Sequence, residues 1–336
     1  MILITKNNDI AQEIAKKLDT NNPIKPVFVH DNRVALAGVK NLPNSTLNEI
    51  SQDVVKVITN HHSAIVSSRD FHPNDSIIKT NHSIIGGNHF IFMAGPDSIE
   101  SAEHVLEMGR QVKAAGATIL RGGAFKPRTS PYSFQGNGEV GLKAHRAAAD
   151  ELGMDMITEI LDTRDVDLVD SYTDIFQVGT RNMQNFALLK ALGQKRKPVV
   201  LKRGMSATID DLLNAAEYIA AGGNTQIMLM ERGIRTYDNK YTRNTIDVSA
   251  IPVLQSLTHY PVIADASHAA GVAKFVTPLA LAATAAGSQG LMTEIHDDPE
   301  HAFVDGAQAL TPEAFSQLAD KVRKIHDIVA HDNSEY

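Results

Sequence analysis

Residues 121–136 read Arg-Gly-Gly-Ala-Phe-Lys-Pro-Arg-Thr-Ser-Pro-Tyr-Ser-Phe-Gln-Gly, which places Arg121, Lys126 and Arg128 directly after the apolar run 117–120. Pro127 and Pro131 stiffen this loop, because proline fixes φ and removes a backbone donor. A stiff loop loses less entropy on binding. Arginine offers phosphate a planar fork and lysine offers a compact charge. A solvated basic loop is the plain alternative. It loses weight because Arg181, Lys202 and Arg232 also follow apolar runs. Six clustered cations repel one another, so anions are needed to offset them. One phosphate monoester brings about −1.5 to −2, and two phosphates with a carboxylate suit the cluster better than one phosphate alone.

A second constellation is Asp97, His268, Glu294 and Asp305. Carboxylates and an imidazole could take a divalent ion through oxygen and nitrogen. Their spacing is long, so only a fold that gathers distant segments would join them. Each has a bland reading: Asp97 could cap a helix starting near Ser98 with Glu100 completing a capping box, and Asp305 could sit in a turn with Gly306. The pairs His61–His62 and His296/His301 read as surface residues.

Positioning such groups requires a scaffold, and the chain beyond residue 89 repeats one pattern: apolar run, turn, helical stretch. The spacing predicts strands at 90–95, 117–122, 155–159, 175–179, 198–202, 227–231, 261–264 and 290–294, apolar on both faces as buried parallel strands are. Residues 208–221 exemplify the helices, with Leu212, Leu213, Ala216, Ile219 and Ala220 on one face, Thr208 as cap and Gly222 as terminator. Eight strand–helix units predict a (β/α)8 barrel, with a doubly wound sheet as the runner-up. Barrel chemistry sits where strands end. The predicted strands end near Asp97, Arg121, Glu159, Arg181, Lys202, Arg232, Asp265 with His268, and Glu294. Residues 1–70 differ and predict a small ferredoxin-like α/β domain: strand 1–5, helix 9–18, a hairpin of 25–29 and 33–39, helix 46–58 and strand 64–68. A connector spans 71–88, and the barrel covers 89–336.

Composition narrows the classes. The chain has 336 residues, 43% hydrophobic, with a net charge of −7 and no cysteine. The acidic balance argues against nucleic acid as a partner. Disulfides, thiolate zinc sites and cysteine nucleophiles are excluded. No apolar run reaches membrane-spanning length and no secretory leader is evident, which predicts a soluble, cytoplasmic protein without a membrane partner.

These residues resemble the 3-deoxy-D-arabino-heptulosonate 7-phosphate (DAHP) synthase family, in its short branch with an N-terminal ferredoxin-like domain. The resemblance runs through Ala94-Gly-Pro, Leu120-Arg-Gly-Gly, Lys126-Pro-Arg-Thr-Ser-Pro, Gly179-Thr-Arg-Asn-Met-Gln-Asn, Leu201-Lys-Arg-Gly, Glu231-Arg-Gly-Ile-Arg-Thr, Asp265-Ala-Ser-His, Thr293-Glu-Ile-His and Asp305-Gly. It implies condensation of phosphoenolpyruvate with erythrose 4-phosphate, releasing phosphate, at the head of the shikimate pathway. Arg121, Lys126, Arg181, Lys202 and Arg232 match the family's phosphoenolpyruvate-site cations, and Arg128 and Thr129 its erythrose 4-phosphate contacts. Asp265 falls among the substrate-binding positions, and Lys126, His268 and Glu159 among those carrying catalysis. A divalent cofactor, Mn2+ with Mg2+, Fe2+ or Co2+ as alternatives, is implied at Asp97, His268, Glu294 and Asp305. A homodimer or homotetramer inhibited by an aromatic amino acid is implied as well.

Two positions depart from the family pattern. The usual Gly-Pro-Cys-Ser is Gly95-Pro-Asp-Ser98, so Asp97 stands where a metal-binding cysteine is expected, and Asp-Pro-Ser-His is Asp265-Ala-Ser-His268. Among alternatives, 3-deoxy-D-manno-octulosonate 8-phosphate synthase carries a Lys-Ala-Asn-Arg-Ser type loop, unlike Lys126-Pro-Arg-Thr-Ser130. A catalytically silent, metabolite-sensing relative has only Asp97 in its favour.

Overall fold

The computed structural model describes residues 1–21, 26–59 and 63–332, in two compact units. The first unit comprises Met1–Asp75 with Ser256–His259. Its elements are β1 (Ile2–Thr5), α1 (Asn8–Asn21), β2 (Val27–His30), β3 (Arg33–Leu36), α2 (Asn44–Ile50) and β4 (Val54–Ile58). The sheet order is β2-β3-β1-β4, antiparallel throughout, which is the ferredoxin-like arrangement. Leu3, Ala11, Ile14, Leu18, Val34, Leu36 and Ile50 form its core.

The fourth strand corrects the sequence reading. The expected helix 46–58 stops at Ile50, and residues 54–58 pair with β1. Val54-Val-Lys-Val-Ile58 is rich in β-branched residues, which pack well on a pleated surface and lose χ1 freedom in a helix. Residues 64–68 form no strand; only Ser68 makes an isolated bridge, to Thr258. Lys25, His61 and His62 lie outside the described residues.

The second unit holds Ser76–Gln255 and the chain from Tyr260 onward. A short hairpin, β5 (Ile78–Lys79) with β6 (Ile84–Ile85), occupies what the sequence suggests is a plain connector. Eight strands follow: β7 (Ile91–Gly95), β8 (Ile119–Arg121), β9 (Asp155–Ile160), β10 (Ile175–Val178), β11 (Val199–Lys202), β12 (Ile227–Glu231), β13 (Val262–Asp265) and β14 (Gly290–Glu294). All pair in parallel and close into one barrel, so the doubly wound alternative falls. The interior packs Ile91, Met93, Ile119, Ile157, Ile175, Val200, Met228, Met230, Ile263 and Met292, joined by Ile78 and Ile85 of the hairpin. Asp155, fully buried, is held by the hydroxyls of Thr80 (2.5 Å) and Ser83 (2.7 Å).

The remaining helices are α3 (Ala102–Ala114), α4 (Gly138–Leu152), α5 (Val166–Asp170), α6 (Phe186–Gly193), α7 (Ile209–Ala221), α8 (Ala250–Leu257), α9 (Ala266–Ala270), α10 (Ala273–Ala285) and α11 (Pro312–Asp332). Thr208 caps α7 in a reciprocal box with Asp211. Asp97 caps nothing: α3 starts at Ala102, and Ser101 accepts from the His104 amide. None of the described helices is long and apolar enough to cross a membrane.

Candidate active site

Residues at or near the C-terminal ends of the strands line a cavity of about 510 Å³ within the barrel unit. Arg121, Lys126, Arg128, Arg181, Lys202, Arg232, Arg235 and Arg243 line it, with Thr129, Gln177, Asn244 and Met205 between them. The carboxylates at the cavity wall are Asp97, Glu159 and Asp305; Asp265 and Glu294 lie buried beneath. Eight cations therefore face five carboxylates. The excess is not neutralised inside the protein: Arg121 Nη1, Arg128 Nη1, and Nε and Nη1 of Arg232 are buried without a hydrogen-bond partner. A buried donor left unpaired costs about 1–3 kcal/mol, more when charged. Burial lowers the Arg232 pKa, with Arg243 adding to the effect against Asp265. A bound anion would satisfy these donors.

Positioning of the other cations is specific. Lys202 reaches Asp265 at 2.5 Å, and Asp265 Oδ2 also accepts His268 Nδ1 at 2.7 Å while its Oδ1 accepts the His268 amide. Burial opposes the charge on Asp265; His268 and Lys202 overcome it and hold the carboxyl well below its usual range. Arg181 donates to the Pro127 carbonyl at 2.9 Å and so ties the end of β10 to the proline-stiffened loop. Gly179 leaves room for Glu159: a Cβ there would lie 1.9 Å from Glu159 Oε1. Burial pushes the Glu159 carboxyl upward.

Asp97, His268 and Glu294 bring one donor atom each within 4.8 Å of one another, a spacing that could hold a metal ion. Glu294 Oε1, buried without a hydrogen-bond partner, stands 3.3 Å from His268 Nε2 and 3.3 Å from Arg121. Burial, reinforced by the negative charge of Asp97, pushes the Glu294 carboxyl well up, which a cation would relieve. His268 is lowered to about 4, chiefly by burial, so its Nε2 lone pair is free at neutral pH while Nδ1–H donates to Asp265. The donor set therefore fits a divalent ion. Asp305 is outside this trio; its Oδ2 lies 4.0 Å from His268 and 3.0 Å from Arg243.

Asp97 has a second attachment that the sequence does not suggest. Its Oδ1 is 2.9 Å from Arg121 and its Oδ2 is 2.6 Å from Lys126. Burial works against its ionisation, but Lys126 and Arg121 hold the carboxyl well below its usual range. Asp97 thus links the Asp97–His268–Glu294 trio directly to the cation loop.

Sequence reasoning missed Arg243, Gln308 and Arg203. Arg243 and Gln308 hold Asp305 and Glu294: Gln308 donates to Glu294 Oε2 at 2.6 Å and Arg243 donates to Gln308 at 3.1 Å. Arg203 pairs with Glu231 at 2.9 Å and Asp247 at 2.8 Å, fixing the end of β12. Arg235 is within the recognised Glu231-Arg-Gly-Ile-Arg segment, so a signal for it existed; none marked Arg243. His296 is buried, against the expectation of a surface residue, while His301 is exposed.

Comparison with known proteins agrees with this geometry. A sequence model described as the DAHP synthetase I family matches residues 72–331. The phospho-2-dehydro-3-deoxyheptonate aldolase of Thermotoga maritima is 48% identical over 260 residues, 77% of each chain. A 2-dehydro-3-deoxyphosphooctonate aldolase of Syntrophobacter fumaroxidans is 31% identical, covering 73% of this chain and 90% of its own. The crystal structure of DAHP synthase from Thermotoga maritima superimposes with a TM-score of 0.79 at 39% identity, covering 98% of this chain and 97% of that one. A truncated form of that enzyme covers 79% of this chain and 97% of its own, with a TM-score of 0.74 at 43% identity. With a family model matching residues 72–331 and a relative 48% identical over 77% of both chains, this chain belongs to the DAHP synthetase I family.

Proposed function

We propose that this protein condenses phosphoenolpyruvate with erythrose 4-phosphate to give DAHP and inorganic phosphate, the first step of the shikimate route to aromatic amino acids. The observation that carries the reading is the cavity itself, with eight cations and four buried guanidinium nitrogens left for anions. Two phosphates and one carboxylate supply the missing partners. The loop Lys126-Pro-Arg-Thr-Ser130 favours the four-carbon acceptor, as does 48% identity to a heptonate enzyme against 31% to an octonate enzyme.

In the reaction, Arg121, Arg181, Lys202 and Arg232 bind phosphoenolpyruvate through its phosphate and carboxylate, and Arg128 with Thr129 holds the acceptor phosphate. Fixing both reactants brings carbon 3 of phosphoenolpyruvate to the aldehyde carbon. When bound at Asp97, His268 and Glu294, a divalent ion supplies Lewis-acid polarisation of the aldehyde. The new carbon–carbon bond takes the enol π electrons, and Lys126 gives the aldehyde oxygen its proton. Water adds at carbon 2, and the resulting hemiketal phosphate expels inorganic phosphate to leave the ketone. Glu159, its carboxyl pushed up by burial, is assigned to proton handling beside this carbon. The oxygen-rich donors suit Mn2+.

The N-terminal unit is proposed as the regulatory part of a cytoplasmic homodimer or homotetramer, with an aromatic amino acid as effector. Phosphate release from phosphoenolpyruvate tests the catalytic reading, with erythrose 4-phosphate or arabinose 5-phosphate as acceptor and with or without chelator. Release with erythrose 4-phosphate, abolished by chelation, is the expected result. Release with only the five-carbon sugar would reassign the acceptor, and none with either would defeat the enzyme reading.

A further inference from the structure

Glu100, His104 and His296 form a second cluster, separate from the three metal-site donors, with one donor atom from each within 4.8 Å of the others. Glu100 lies in the segment between β7 and α3, His104 in the first turn of α3, and His296 two residues beyond the end of β14. The two imidazole rings sit 4.5 Å apart between centroids. His296 is more than nine-tenths buried, and Glu100 and His104 are mostly so.

Asp297 orders both rings. Its Oδ1 is 3.1 Å from His104 Nε2 and 3.3 Å from His296 Nδ1. With both of those nitrogens carrying their protons toward Asp297, the lone pairs remain on His104 Nδ1 and His296 Nε2. His104 Nδ1 is buried and has no hydrogen-bond partner. His296 Nε2 is 3.4 Å from Glu100 Oε1, a long contact for a hydrogen bond. As it stands His296 Nδ1 accepts the Asp298 amide at 2.9 Å, so binding an ion through Nε2 requires that amide to give up Nδ1 and keep only its contact to Asp297 Oδ1, 3.1 Å away. A carboxylate behind each histidine, orienting it and raising its basicity, is the usual support of a metal-binding imidazole.

We propose that Glu100, His104 and His296 bind a second divalent cation of the zinc type. Two imidazole nitrogens and one carboxylate oxygen form a three-ligand set with a fourth position left for water. Donors about 2.1 Å from a shared ion are at most about 4.2 Å apart, so the cluster needs only a slight contraction. Its place in the fold gives it a task. β7 and β14 are neighbouring strands that pair from Ile91–Gly290 to Gly95–Glu294. Glu100 follows Asp97 by three residues and His296 follows Glu294 by two. The ion would pin the two segments just beyond these carboxylates and hold Asp97 and Glu294 in register.

The test is metal stoichiometry in the full chain, stripped with chelator and titrated with Zn2+ and, as a spectroscopic probe, Co2+. The native protein should take up two ions. His104→Ala and His268→Ala should each retain one, and the double variant none. Glu100→Gln, which keeps the side chain's size, should lose the same ion as His104→Ala, and Asp297→Asn should weaken it about 10- to 100-fold. Far-ultraviolet circular dichroism of the stripped proteins confirms that all remain folded. One ion lost with His268→Ala and kept in His104→Ala overturns this proposal and leaves the active-site reading standing. One ion kept in His268→Ala and lost in His104→Ala supports it and removes the active-site ion instead. No uptake by the native protein overturns both.

Discussion

Arg128 and Arg181 both border the cavity, yet they meet the protein differently: Arg128 keeps a buried Nη1 without a partner, whereas Arg181 donates to the Pro127 carbonyl. Arg128→Ala should raise the KM for erythrose 4-phosphate and Arg181→Ala that for phosphoenolpyruvate. Each loss of a charge-assisted hydrogen bond is worth about 2 kcal/mol, roughly 30-fold. Steady-state kinetics with each substrate varied in turn decides this, and equal shifts in both KM values would sink the division of labour. Asp97 carries a second prediction. Asp97→Cys replaces a hard donor by a soft one, so activity with Zn2+ should gain on activity with Mn2+. It also removes the carboxylate 2.9 Å from Arg121, so total activity should fall. Activity assays over a metal series would contradict the idea if the order of metals stayed the same.

Two elements bear their own tests. Gly179 directly follows β10 with an ordinary φ of −70°, so its requirement is space and not backbone freedom. Gly179→Ala should push Glu159 aside, cost about 1–3 kcal/mol through overpacking and lower kcat. A wild-type kcat would show that Glu159 has no catalytic part. In α4, His145 is buried, its Nε2 3.1 Å from the Leu120 carbonyl, and burial lowers its pKa to about 3. The unfolded chain, with an ordinary histidine, binds a proton more readily than the folded one. His145 therefore adds nothing to the pH dependence above about 6.5, and stability is lost as pH falls from there toward about 3. The loss should reach about 2 kcal/mol at pH 5. Thermal melts at pH 7.5 and 5 measure it, and His145→Gln should flatten the difference by that share.

At the scale of the molecule, every residue of the candidate site belongs to the barrel unit, and none lies in residues 1–75. Deleting residues 1–75 should preserve the condensation while abolishing inhibition by tyrosine or phenylalanine. Inhibition that persists after the deletion, or a full-length enzyme that ignores both amino acids, would remove the regulatory role.

Much of the barrel was legible before any fold was known. Its strands are short runs apolar on both faces, a local signal, and each has an ionisable residue at or near its C-terminal end, where barrel chemistry sits. The cation loop was legible for the same reason: Arg121, Lys126 and Arg128 are neighbours in the chain. β4 was misread because the helical reading was carried on past Ile50 into Val54-Val-Lys-Val-Ile58, whose β-branched residues favour the strand that pairs with β1. Arg243 supporting Asp305, Gln308 supporting Glu294, and Asp97 clasped by both Arg121 and Lys126 had no local trace. Residue types and strand ends are written along the chain. Ion-pair partners are chosen by distance and burial, and these exist only once the eighth strand has closed on the first.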